Sequence, residues 1–205
     1  MIWKRSSLIL LFASAGLAAE PPSVPSFVND IQPILTKAGC NAGACHAKAV
    51  TGQRGFRLSV LGFEPEEDFE AIVKQGKGRR VFPAAPEESL LVTKAAAIVP
   101  HTGGKKIEPG SEAYQTLVRW IAGGMPYAAP DEPKLEKIVV EPQQVTLKAG
   151  VEQPLQVTAK FSDGSSRDVT TLALFEANDP DMLEAAEDGK VRTRDLPGSA
   201  AVMVR

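Results

Sequence analysis

The hydrophobic positions of this chain repeat with two different periods, and the change falls near residue 130. Phe27, Ile31, Ile34 and Leu35 stand at i, i+4, i+7 and i+8, the spacing of one buried stripe on a helix over residues 27–37. Ser26 is its natural N-cap. Pro33 lacks an N–H and predicts a kink or a restart near Gln32, and Ala38-Gly39 ends the helix. Pro65 with Glu66, Glu67 and Asp68 at the positive helix end opens a second helix that reaches Lys74 or Gln75 and stops at Gly76. Pro86-Glu87-Glu88 starts a third by the same logic, running through Leu90, Leu91 and Lys94 to about Ala97. A fourth spans residues 112–122, capped by Ser111 and closed by Gly123-Gly124. Tyr114, Leu117, Val118 and Ile121 form its buried stripe, with Trp120 at one flank. Residues 47–63 are a glycine-rich loop with at most one short strand at Phe56, Leu58 and Val60.

From Lys134 onward the helical period vanishes. Short β-type runs take over at 138–140, 145–147, 155–161, 172–175, 191–193 and 200–204, divided by turns at 162–165 and 188–189. Repeated short strands between turns predict a sandwich, which ordinarily needs about seven strands. The last run stops at the chain terminus, so the sandwich is expected to be incomplete there. The expected fold class is therefore a mostly α unit over 26–127, a linker over 128–134, and an all-β sandwich over 135–205.

The first 19 residues stand apart. Lys4 and Arg5 precede the apolar run Leu8-Ile9-Leu10-Leu11-Phe12, and small residues follow up to Ala19. This is the pattern of a secretory signal peptide, followed by a Pro-rich linker over 20–25. No later run has the roughly 20 apolar residues a spanning helix needs. The expectation is an exported protein, periplasmic or extracellular, with no membrane span in the mature chain. A net charge of -2 argues against a nucleic-acid partner.

Export changes the meaning of the cysteines, because free thiols rarely persist outside the cytoplasm. The stretch Gly39-Cys40-Asn41-Ala42-Gly43-Ala44-Cys45-His46 holds both cysteines of the protein and one of its two histidines. A thiol pair ending in Cys-His is the pattern of covalent haem attachment, with thioethers from both cysteines and the histidine as proximal iron ligand. The spacing here is wider than the common C-x2-C-H, and the small residues of 41–44 leave room for the bulge. Two other chemistries fit the same residues. One is a Cys40–Cys45 disulfide; the other is a zinc site using Cys40, Cys45, His46 and His101.

The sequence resembles a known family at this point. The run 27–35 leading into 39–46, with Pro100-His101-Thr102-Gly103-Gly104-Lys105-Lys106-Ile107 and then Tyr114 and Trp120-Ile121, is similar to the cytochrome-c-like domain of large exported planctomycete-type proteins. Residues 135–205, with Phe161-Ser162-Asp163-Gly164-Ser165 and Arg167-Asp168-Val169-Thr170, resemble a bacterial group 2 Ig-like domain. The resemblance implies covalent haem on Cys40 and Cys45, His46 as proximal ligand, and one-electron transfer with an undefined redox partner protein. The Ig-like part would be a spacer or docking module. His101 lies in the loop before the last helix, where such domains carry the distal ligand; Met125 is the alternative, beyond that helix. The chain is then an electron carrier rather than an enzyme by itself.

Other groups carry plainer readings. Arg79-Arg80 and Lys105-Lys106 suit haem propionates or an acidic partner, but solvated surface is the ordinary state of such pairs. Glu66, Glu67, Asp68, Glu87 and Glu88 are helix-start acids. No G-x-S-x-G or phosphate loop is present, and no catalytic residue is assigned.

Overall fold

A computed structural model of the chain describes residues 24–43, 45–48 and 55–205. The signal-peptide reading of 1–19, most of the 20–25 linker, Ala44 and part of the glycine-rich loop lie outside these residues. No helix among the described residues is long and apolar enough to cross a membrane.

The expected fold class is corrected. The chain is a mixed α/β protein, 27% helical and 20% strand over the described residues, with four short α-helices and eight strands in antiparallel sheets. The helices are α1 (Gln32–Lys37), α2 (Pro65–Val73), α3 (Leu90–Ala95) and α4 (Glu112–Ala122). Glycine and proline explain the shortfall. Residues Phe27–Ile31 form a π turn, and α1 begins with Pro33 in its first turn, where the missing N–H costs nothing. The third helix starts four residues late, because Ser89 is extended and confines Pro86–Glu88 to a 3-10 turn. At its end α2 runs into left-handed Gly76 and Lys77. Helical hydrogen bonding therefore covers too little of the first part to call it mostly α.

The apolar stripes nonetheless converge. Phe27, Ile31, Leu35, Ile72, Leu117, Trp120 and Ile121 are buried together in one core. Trp120 is no flank residue: it is fully buried, its ring 5.8 Å from that of Phe27, and its Nε1 donates to the Pro126 carbonyl at 3.1 Å. Ser26 and Ser111 accept from Asn29 N and Tyr114 N at the two helical starts.

The eight strands are β1 (Leu135–Glu141), β2 (Glu152–Pro154), β3 (Gln156–Phe161), β4 (Ser166–Asp168), β5 (Phe175–Ala177), β6 (Leu183–Ala185), β7 (Lys190–Thr193) and β8 (Val202–Val204). They form three small sheets, ordered β1-β3-β4, β2-β7-β6 and β5-β8. Residues 145–147 form no strand, and β4 and β6 arise where no apolar run predicts them. Both are partners in tight hairpins: Asp163 accepts from Ser165 N at the β3–β4 turn, and Gly189 turns the chain at φ 85° between β6 and β7.

The strands bear on the first part at both ends of one segment. Arg167 of β4 pairs with Asp30 at 2.8 Å and donates to the Asn29 carbonyl at 2.7 Å. Lys37, the last residue of α1, donates to the carbonyls of Ala173 and Glu187, each at 2.6 Å. Truncating the central Trp120 to Ala should cost about 3–5 kcal/mol. A urea unfolding curve with a strongly lowered midpoint at an unchanged slope is the expected result.

Candidate functional site

A cavity of about 870 Å³ opens beside the Cys-His loop, and Cys40, Cys45, His46 and His101 all line it. Leu35, Phe56, Leu58, Leu90, Leu91 and Ala95 supply its apolar wall; Arg79, Arg80, Lys94 and Lys106 its charge. No Asp or Glu stands among these lining residues.

The loop is held by its backbone rather than by a helix or sheet. Cys40 N donates to the Leu35 carbonyl at the end of α1, across left-handed Gly39. His46 N then returns to the Cys40 carbonyl at 3.1 Å. Leu58 clasps the far side: its N–H donates to the His46 carbonyl at 2.7 Å, and its carbonyl accepts from Lys48 N at 2.8 Å. Next to Leu58, Ser59 is pinned by Asp68, whose carboxylate accepts from Ser59 N at 2.5 Å, Ser59 Oγ at 2.6 Å and Gln32 Nε2 at 2.9 Å. Asp68 is 1% exposed. The reading of Asp68 as a mere helix-start acid therefore needs correction. Its spacing of three and four residues from buried Ala71 and Ile72 placed it on the inner face of α2, a signal the helix-end reading passed over.

Both imidazoles are oriented by main-chain carbonyls. His46 Nδ1 lies 3.3 Å from the Phe56 carbonyl, and His101 Nδ1 lies 2.8 Å from that of Gly104. A carbonyl only accepts, so Nδ1 carries the proton in each ring and the neutral ring keeps its lone pair on Nε2. Burial pushes the His46 pKa below the usual histidine value, against the Phe56 bond and helped by the nearby His101 and Arg80 charges. The neutral form is the one that binds metals. Burial, with Cys45 adding to it, also raises the Cys40 thiol to about 11, so Cys40 is a protonated thiol at neutral pH.

The two histidine rings both line the cavity and are nearly parallel, with planes 9° apart and centroids 6.3 Å apart. Gly103 packs on His101 so closely that an added Cβ would sit 3.0 Å from Cε1 and 3.3 Å from Nε2. Met125 is elsewhere: it lies past α4 at φ 58°, packs against the main core and lines no part of the cavity. Phe56, expected only in a short strand, and Gly103, expected only as part of the run 100–107, both shape the site through the two histidines.

The two rival chemistries fare differently in this geometry. Cys40 and Cys45 stand as free thiols rather than a bonded pair. Among the described residues, no three His, Cys, Asp or Glu side chains converge to hold a metal ion, so the four-ligand zinc set is not assembled. No family model matches the chain, and no curated protein matches it.

Long-range 1H–15N spectra at mildly alkaline pH should show His101 protonated on Nδ1. In Gly103→Ala the new methyl displaces the ring from the Gly104 carbonyl, and the spectrum should become a mixture of tautomers.

Proposed function

We propose that the cavity holds haem, attached through Cys40 and Cys45, and that the protein carries single electrons outside the cytoplasm. The observation that carries this reading is the His46–His101 pair. Two imidazoles on opposite sides of one metal atom need centroids about 6.4 Å apart, given metal–nitrogen bonds of roughly 2.0 Å and roughly 1.2 Å from nitrogen to ring centre. The observed separation is 6.3 Å, and both Nε2 atoms are left free by their Nδ1 bonds. Backbone hydrogen bonds at the far nitrogen are the usual means of orienting a ligating imidazole.

The cavity suits the rest of the group. Its volume lies in the range of small-molecule sites, and an apolar wall with four cations and no carboxylate fits a flat apolar molecule bearing two acids. Cys40 and Cys45 would hold the group by thioether bonds, His46 would be the proximal ligand and His101 the distal one. When bound, haem supplies an iron that exchanges one electron. The chain's own residues orient both imidazoles, keep His46 neutral and shield the site with Leu35, Leu58 and Leu91. Export follows from the leader pattern of residues 1–19. The partner is another redox protein rather than nucleic acid, and the strand region serves as a spacer or docking unit. The competing reading is a non-redox binding module stapled by a Cys40–Cys45 disulfide.

Expression with haem-maturation machinery should raise the mass of the mature chain by about 616 Da, the mass of one haem joined by two thioethers. A colourless product of bare-chain mass overturns the proposal. In the loaded protein, His101→Ala should convert a low-spin spectrum to high-spin and open the iron to added imidazole. A spectrum identical to wild type would remove His101 from the coordination.

A further inference from the structure

Arg80 is the one buried cation of the cavity wall. It is 7% exposed, whereas Arg79 beside it is an exposed residue. A buried guanidinium ordinarily requires a carboxylate, since desolvating an unpaired charge is costly. Arg80 enters none of the ion pairs among the described residues. Its Nη1 donates to the carbonyls of Ala71 and Gln75, both at 2.8 Å, which uses one end of the fork at the C-terminal end of α2. Its guanidinium carbon sits 4.4 Å from the Phe56 ring centre, and that ring is 4.5 Å from the His46 ring. Stacking on an aromatic face holds the planar cation in one orientation. Main chain on one side and Phe56 on the other thus fix a charged donor at the cavity wall that pairs with no carboxylate among the described residues.

We infer that Arg80 is a carboxylate-binding residue whose anion comes from the ligand of the cavity, and that its fixed charge raises the electron affinity of the His46–His101 site. This rests on the haem reading, in which the anion is a propionate. Arg80 therefore acts as a positioning residue and an electrostatic one, and it makes no bond to the metal. The exposed Arg79 is the internal control, because water screens its charge.

The test uses haem-loaded full-length protein, with mass, helical circular dichroism and reduction potential read on wild type, Arg80→Gln, Arg80→Lys and Arg79→Gln. The expected result is a lowered potential in Arg80→Gln, a potential near wild type in Arg80→Lys, and little change in Arg79→Gln. If Arg80→Gln fails to retain haem while Arg80→Lys retains it at near wild-type potential, the requirement for charge stands. A haem-loaded Arg80→Gln with the wild-type potential overturns the inference. So does loss of both haem and helix signal in Arg80→Gln and Arg80→Lys alike, which assigns Arg80 only to closing α2. A wild-type chain of bare mass overturns the haem reading itself, and is distinguishable from each of these.

Discussion

The buried carboxylate of Asp68 is the constraint on which the site depends. A loop rich in glycine and alanine has little side chain with which to hold itself, and an isolated bridge pairs Ala47 with Leu58 among its described residues. Something must fix the strip of chain at residues 56–59 that carries both the Phe56 carbonyl and the Leu58 clasp. Asp68 does so with three donors, two from Ser59 and one from Gln32, and thereby ties α2, α1 and the strip into one unit. Charge-assisted bonds of this kind are short and strong, and a buried carboxylate deprived of them is severely penalised. The position of His46 is thus inherited from a residue that never touches it.

The second dependence is on α1, which delivers Cys40. Six residues make a marginal helix on their own, so its stability comes from packing and from its ends. The strand region grips the turn before α1 and its last residue. Asp30 receives Arg167, and Lys37 reaches two carbonyls beyond the first core while lying near the Phe175 ring. Burial lowers the Lys37 pKa, with Glu187 and Asp188 opposing the shift. A lysine partly withdrawn from water to cap carbonyls is a costly arrangement that exposed contacts do not need. The strand region is therefore a brace on the segment that leads into the site.

Much of this was legible in the residues and some was not, for definite reasons. The stripe Phe27, Ile31, Ile34, Leu35 and the caps Ser26 and Ser111 are local signals, and local signals survive folding. The first and third helices came out shorter than their apolar runs because Phe27–Ile31 forms a π turn and Ser89 confines Pro86–Glu88 to a 3-10 turn, whereas the fourth spans 112–122 as its stripe and cap required. That shortening turned an expected mostly α unit into part of a mixed α/β protein. β4 and β6 were invisible because Ser166, Arg167, Asp168 and Glu184 are polar and take strand form through cross-strand pairing rather than through an apolar run. The meeting of His46 with His101, 55 positions apart in the chain, rested on a family likeness rather than on any spacing rule. Arg80 read as half of a solvated pair, since nothing in Arg79-Arg80 says which of the two turns inward.

Two opposing influences then meet at the same place. Main-chain carbonyls at Phe56 and Gly104 make both Nε2 atoms electron-rich, which would favour the more positive state of a metal bound there under the proposed reading. Cations at 79, 80, 94 and 106, with no carboxylate among the lining residues, favour the less positive state. The exposed Arg79 contributes little after screening, so the balance falls to the carbonyl bonds, to the buried Arg80 and to the half-buried Lys94 and Lys106. Phe56 joins the two influences physically: its carbonyl orients His46 while its ring holds the Arg80 guanidinium. A single loop residue thus couples the basicity of the ligand to the charge of the wall, and a change at Phe56 must move both together.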